Sequence, residues 1–502
     1  MAAIITEKFR LHNASQFVES FSEASASTYY LFLGKSSPFS SATSGGSDSS
    51  PPTPADAVGQ IEYYSWDSML GAKNISSSDI TRTVVRRNWA NGTTYDMYEH
   101  NISSDNTTTS GASNLYDSTF YFLTSANRVY KVLDNNGGTA YSGSEPTSES
   151  TSPFAQGGYI LKYMYTITAA EQTKFLTTDF MPVSTDSAVS AAATDGKIES
   201  LIVTGGSGYT DGTYYVAVNG DGSSAGTSSG AIVSFVVSSN AIADFGLTSG
   251  TDTIVYAGGT GYTYGTVTLT DATVFTDATL ETAASSGYID NGSGGAIQVM
   301  VGPKSGHGYN AVTELGGHYI LMNTLFIGAE RDDLLTANDF RNIGIVTSPT
   351  TYGTSTVASD STIRQTYAAK LTSVSGTFTA DEKITQASTA AIGKVVEWDS
   401  TNSILYFQQE RFTDYGTSSV GAYVAFSGAN AITGASSSAV GTPDSTADTA
   451  VTLSGGFTIT FSDGYCNPEL QPDSGNIIYN ENRSPISRAT DQTEDIKIVV
   501  EF

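Results

Sequence analysis

The last seven residues of the chain alternate, with Ile496, Ile498, Val500 and Phe502 on one face and Lys497, Val499 and Glu501 on the other. Successive side chains of a strand point to opposite faces, so this spacing predicts a β-strand with one apolar face that runs to the final residue. A chain end frays unless it is tied down, so such a strand needs a sheet to receive it. The expected partners are strands laid down near the N-terminus. Just before it, Asn480-Glu481-Asn482-Arg483-Ser484-Pro485 reads as a polar turn. Residues 491–494 have cap-like spacing that suits a tight corner.

Composition agrees with strands. Charged residues are 15% of the chain, Gly numbers 50, and Ser and Thr fill much of the remainder. Short strands joined by tight turns use such residues better than helices do. With 29 Tyr and 22 Phe the chain is too aromatic for disorder. The expected fold is mainly β, with several sandwich-like or barrel-like modules, few short helices, and a core closed by the N- and C-terminal segments. The 502 residues allow several domains.

Charge excludes some functions. A net charge of −27 argues against a nucleic-acid partner, which Lys and Arg must neutralise, and against an anionic membrane surface. Cys466 is the one cysteine, so no internal disulfide is possible. The first residues, through Glu7, are too short and too soon charged for a signal peptide, and no apolar run is long enough to span a membrane.

Residues 1–185 read as one folded unit with a loop at 40–54, a short helix near 61–70, two strands within 116–133, a long connection at 137–153, a strand at 159–167 and a helix at 169–175. Residues 186–300 change character, with eleven acidic residues and one basic, Lys197. They contain a repeat: Gly205-Gly206-Ser207-Gly208-Tyr209-Thr210, then Gly258-Gly259-Thr260-Gly261-Tyr262-Thr263. Each copy follows a short apolar strand, its glycines suit tight turns, and its tyrosine can cover the strands beneath. Residues 301–367 return to the denser style, with a strand at 319–327. Residues 368–456 read as a small barrel or sandwich with strands at 378–384, 393–398 and 404–408, and the Ala/Ser/Gly-rich run 427–450 as its loosest part. Residues 457–502 form the closing segment.

Motifs that might carry chemistry are weak. Gly226-Thr227-Ser228-Ser229-Gly230 fits a serine-hydrolase elbow, but lacks the following helix and a partner histidine. His307 and His318, with Glu314 between them, invite a metal or acid–base reading, yet their glycine-flanked spacing suits a structural loop better. Asn219-Gly220-Asp221-Gly222 resembles a calcium-loop fragment without its remaining ligands, and reads as a hairpin turn. Arg82, Arg86 and Arg87 form a basic cluster, suited either to an acidic partner or to a charged strand edge. Tyr63-Tyr64, Tyr214-Tyr215 and Tyr262 with Tyr264 are interface or strand residues alike. No catalytic, cofactor-binding or metal-ligating residue is therefore expected.

A resemblance sharpens this. Tyr479, Glu481-Asn482-Arg483 before Pro485, Asp491-Gln492-Thr493-Glu494 and the strand closing in Phe502 resemble the C-terminal signature of the baseplate wedge subunit encoded by gene eight of T-even-type contractile-tailed phages. Further islands follow the family's order: Lys8-Phe9-Arg10, Phe17 and Phe21, the strand from Tyr29 to Leu33, Gly34-Lys35-Ser36-Ser37-Pro38-Phe39-Ser40, Arg86-Arg87-Asn88-Trp89, Gly157-Gly158-Tyr159 and Phe340-Arg341-Asn342-Ile343. The resemblance makes residues 1–185, 301–367 and 457–502 a shared core, with 186–300 and 368–456 as inserted modules. It implies a non-enzymatic subunit of the virion tail baseplate, assembled in the host cytoplasm. The implied partners are a second copy of itself and other wedge proteins. The competing expectation is a receptor-binding or carbohydrate-binding tail or surface protein that uses Tyr209 and Tyr262 as platforms. A glycan-cleaving enzyme would need a carboxylate pair that sequence neither finds nor excludes.

Overall fold

The computed structural model describes residues 5–23, 26–40, 45–54, 60–336, 338–411, 424–445 and 448–502. Parts of the 40–54 loop and of the 427–450 run thus lie outside the described residues. Strands dominate, and the α-helices among the described residues are Glu7–Glu19, Gln60–Ser68, Ala169–Phe175, Ser187–Ala192 and Ala311–Glu314. The mainly β expectation holds. The chain divides into two compact units.

The first unit comprises Met1–Ser15, Thr81–Leu321 and Val499–Phe502. One antiparallel sheet in it has the order Tyr121–Leu123, Arg128–Asp134, Tyr159–Thr166, Phe154–Gln156. Asn127 turns the first pair with φ 60°, a left-handed conformation that asparagine tolerates. The sheet is covered on both sides. Phe122, Tyr130, Val132, Tyr159 and Leu161 pack into one core, while Tyr121, Leu123, Val129 and Met164 pack into another. Period-two alternation then sends Lys131 and Lys162, direct cross-strand partners, into a buried layer.

The repeat region closes its own core from Ile198 to Val301, including Leu201, Tyr214, Val233, Phe235 and Val299. Its sheet runs Ala241–Ile242, Ile232–Ser238, Gly212–Ala217, Val274–Phe275, with Ile254–Ala257 also paired to Ile232–Ser238. Both repeats use their glycines alike: Gly206 and Gly259 take φ 63° and 59°, and Gly208 and Gly261 take 82° and 74°. Asn219-Gly220 does not form a local hairpin. It pairs with Gly265–Thr266 of the second repeat, and the Asp221 carboxylate accepts the Thr263 N–H at 2.9 Å, stitching distant loops together.

The second unit comprises Gln16–Ile80 and Met322–Ile498. Its five-stranded sheet has the order Thr362–Arg364, Met69–Ile75, Tyr29–Gly34, Asp339–Thr347, Asn476–Ser487. Every residue of the central strand Tyr29–Gly34 is buried, as its unbroken apolar run anticipates. The expected polar turn at 480–485 is instead part of the edge strand Asn476–Ser487. Asn342 on the neighbouring strand donates to the Glu481 carbonyl at 3.1 Å and to Asn482 Oδ1 at 2.8 Å, so asparagines serve the sheet here. The register jumps from Phe340↔Ile486 to Asn342↔Asn482, and Pro485 sits in the resulting bulge, where its missing N–H costs little.

Strands between Tyr367 and Pro443 close into a barrel, one of the two forms expected there. Its staves run Ile404–Gln408, Ile392–Asp399, Lys383–Gln386, Ile432–Gly434, Val440–Pro443, Tyr367–Ser375, and the last pairs back to the first. Two expectations fail here. The strand predicted at 378–384 begins only at Lys383, and the stretch predicted to be loosest supplies two staves. Small residues suit the interior of a narrow barrel, where Ala439 packs beside Leu371, Ile432 and Phe426.

The closing strand also exists, as Thr493–Glu501. Its hydrogen-bonded neighbour is Tyr319–Ile327, in a sheet of order Thr493–Glu501, Tyr319–Ile327, Ile80–Val85, Phe180–Pro182. The expected N-terminal strands are thus in the same sheet, but one from mid-chain stands between. On the alternating face Ile498 is buried, with Ile496 and Val500 half-buried.

Candidate functional site

The first unit holds a charged centre where a β-protein usually keeps only apolar groups. Lys131 Nζ donates to Glu314 Oε2 at 2.9 Å and to His307 Nδ1 at 2.9 Å. Tyr98 lies with its ring 4.0 Å from the same nitrogen and packs edge-on against His307. Lys162 donates to the Thr151 carbonyl at 2.8 Å and stands 3.7 Å from Glu199, which also meets Lys197. Burial pushes the Lys131 and Lys162 pKa values down, against the pull of their carboxylates. Burial, with the nearby lysine charges, holds the His307 pKa well below its ordinary value. His307 is therefore the neutral acceptor of the Lys131 proton donor.

Local sequence builds this centre. Asn310 caps the short helix Ala311–Glu314 by accepting the Thr313 N–H at 3.2 Å, which sets Glu314 in place. The glycine-rich loop before it lets backbone approach: Gly308 has φ 89° and donates its N–H to Glu314 Oε1 at 2.7 Å. Sequence reasoning singled out His307 and Glu314, and the structure does bring them to one place. It missed Lys131, Lys162 and Glu199, which no local spacing marks.

His318 does not join them. It is buried between Glu7, 3.3 Å from Nδ1, and Glu501, 3.9 Å from Nε2. Arg10 completes the cluster with a 2.9 Å bond to Glu501. Burial lowers the His318 pKa, and the Glu7 and Glu501 charges oppose that. Helix Glu7–Glu19 and strand Thr493–Glu501 thus converge on one imidazole.

The other sequence candidates find structural uses. Ser228 sits exposed in a turn with neither a strand before it nor a helix after it, so the elbow motif is accidental. Arg86 donates to the Thr177 carbonyl at 2.7 Å, and Arg87 to that of Tyr116 at 3.0 Å while covering the Tyr121 ring. Arg82 donates to Ser15 Oγ at 3.0 Å. Arg82 lies in Ile80–Val85, a strand interior to its sheet, and Arg86 and Arg87 follow just beyond it with their guanidinium groups tied to backbone carbonyls. Tyr209 and Tyr262 are buried, and their hydroxyls accept the Gly295 and Ala231 N–H groups at 3.0 and 2.9 Å. They are core anchors, unable to offer a ring face to a sugar.

The comparisons bear on the two stretches that meet at His318. The family model described as Phage-Gp8, Bacteriophage T4, Gp8, matches residues 3–142 and 456–502, somewhat more than a third of the chain. Both ends of the chain are thus similar to the Gp8 family. No curated protein matches the chain. Of the islands named above, Gly157-Gly158-Tyr159 and Phe340-Arg341-Asn342-Ile343 fall outside the matched residues.

The Gp8-matched stretches are strongly tied into each unit. In the second unit Arg488 donates to Glu494 Oε2 at 3.1 Å and to the Leu335 and Gly328 carbonyls at 2.8 and 2.6 Å. Arg341 grips the Asp48 carboxylate with two 2.9 Å bonds, and these hold the Asp48 pKa below its ordinary value. Arg364 reaches the Asn467 carbonyl at 2.8 Å and Cys466 Sγ at 3.1 Å. No sequence motif announces these arginines. Each serves carbonyls or carboxylates far along the chain.

Proposed function

We propose that this chain is a baseplate wedge subunit of a contractile phage tail, acting by protein–protein assembly without catalysis. It assembles in the host cytoplasm as a homodimer and contacts neighbouring wedge proteins. The observation that carries this reading is the Gp8 match at both ends of the chain, over the residues that supply Glu7, Arg10 and Glu501 to the His318 cluster. Residues 186–300 and 368–456 are modules inserted into that shared core. Their separate hydrophobic cores support the assignment.

Surface chemistry suits assembly. Ile5 and Phe9 stand 64% and 55% exposed, the first just before helix Glu7–Glu19 and the second in its first turn. Large apolar side chains left in water mark contact surfaces when they cluster. The carbohydrate-binding reading loses its named platforms, because Tyr209 and Tyr262 are buried.

Size-exclusion chromatography with light scattering tests the dimer, and a strict monomer at micromolar concentration refutes it. Co-purification with the other wedge proteins of the same phage tests the assembly role. Glycan binding without such co-purification overturns it.

A further inference from the structure

The Lys131–Glu314 pair is arranged in a way that a plain salt bridge does not require. The two oxygens of Glu314 are used differently. Oε1 accepts the Gly308 N–H at 2.7 Å and the Asn310 N–H at 3.4 Å, while Oε2 takes its bond from Lys131. On its other side the same nitrogen meets His307 Nδ1 at 2.9 Å. Lys131 is 0% exposed, His307 1% and Glu314 5%, so bulk water has no ready access. Burying two such charges is unfavourable, and Lys162 directly across the ladder adds a like charge. Replacing the pair by a neutral bond removes that cost.

We propose that Lys131 and Glu314 are joined by a side-chain amide, formed within the folded unit without a cofactor. The ammonium first passes one proton to Oε2, leaving an amine and a carboxylic acid. The amine nitrogen attacks Cδ of Glu314, and the developing negative charge settles on Oε1, towards which the Gly308 N–H points. His307 Nδ1 takes the second proton from the nitrogen and delivers it to Oε2. The Cδ–Oε2 bond breaks and water leaves. One ammonium and one carboxylate become one amide and one water, with no change of oxidation state.

The product fits the same surroundings. The amide N–H keeps His307 Nδ1 as its acceptor, and the amide carbonyl keeps the Gly308 N–H as its donor, so neither polar group is left unpaired. Tyr98 covers the nitrogen and helps to exclude the water that hydrolysis needs. Burial favours the neutral amine of Lys131 and the neutral imidazole of His307, which supplies the lone pairs that the steps use.

Intact-mass measurement of the full chain tests this directly. The expected mass is about 18 Da, one water, below that of the sequence once the state of Met1 is counted. Trypsin does not cut after a modified lysine, so the digest should contain a branched peptide joining residues 129–162 to residues 305–331. Lys131→Arg should restore the full mass, and His307→Ala should leave a large unlinked fraction. A wild-type chain of full mass overturns the proposal, whatever the variants do. A water loss mapped to any other peptide overturns it as well.

Discussion

Arg10 and Glu501 stand 491 positions apart in the sequence and meet at 2.9 Å. Both are partly exposed, and exposed ion pairs contribute only about 0–1 kcal/mol. The bond therefore marks where the two segments meet more than it holds them. Arg10→Ala should lower the melting temperature of the first unit only slightly. Deleting Val499–Phe502, which removes strand as well as charge, should lower it far more. Differential scanning calorimetry of both variants checks the order.

The repeat tyrosines give a graded test of burial. A Cβ on Gly292 would lie 2.2 Å from the Tyr209 ring, and one on Gly222 would lie 2.2 Å from the Tyr262 ring, so each tyrosine fills a slot cleared by a glycine. Tyr262→Phe removes the bond from the Ala231 N–H and the longer one to the Val218 carbonyl, and should cost about 1–3 kcal/mol because a buried N–H is left unpaired. Tyr262→Ala should cost about 3–5 kcal/mol through the cavity it leaves. Tyr209 should behave alike. Chemical denaturation followed by near-ultraviolet circular dichroism reads both.

Breaking the Arg488–Glu494 pair should be costly, because both side chains are buried. Arg488→Ala strands the Glu494 carboxylate and two carbonyls, and should destabilise the second unit by about 3–5 kcal/mol. The conservative Arg488→Lys should recover only part of this, since one ammonium cannot reproduce the planar fork. Thermal unfolding of the two variants side by side measures the difference.

Two carboxyls in the second unit tilt stability with pH in opposite directions. Burial works to raise the Glu382 pKa, but donors from Ser437, Thr379 and Ser436 overcome it and hold the group at about 2. Its contribution is full above its ordinary value of 4.5 and is lost as pH falls through about 2. Glu469 is pushed up by burial to about 7, against the attraction of Arg364. Between 4.5 and about 7 the folded state holds the extra proton, so stability falls as pH rises through that window and then levels. Glu469→Gln should abolish that slope and melt higher than wild type at pH 8. Melting temperatures across the pH range settle it.

Much of the architecture was legible where the signal was local. Helix 169–175, the strands at 159–166 and 404–408, and the glycine turns of both repeats appear where the pattern put them, because strand period, capping and φ preference act over a few residues. The misreadings share one cause. Asn480 to Pro485 look like a turn in isolation, and become strand because Asn342 supplies partners for polar side chains that a turn would leave to water. The small residues of 427–450 look slack until a closed barrel gives them an interior to fill.

The candidate site divides the same way. His307 and Glu314 were visible as unusual residue types in one glycine-rich loop, and the closing alternation of Ile496, Ile498 and Val500 was written in the order of side chains alone. Lys131 was not visible: it stands 183 positions from Glu314, inside a run that reads as an ordinary strand. Alternation fixes which side of a strand a residue faces, because that is backbone geometry. Which group waits on that side depends on how remote segments pack, and here packing set a lysine against a carboxylate, a histidine and an aromatic ring with no water between them.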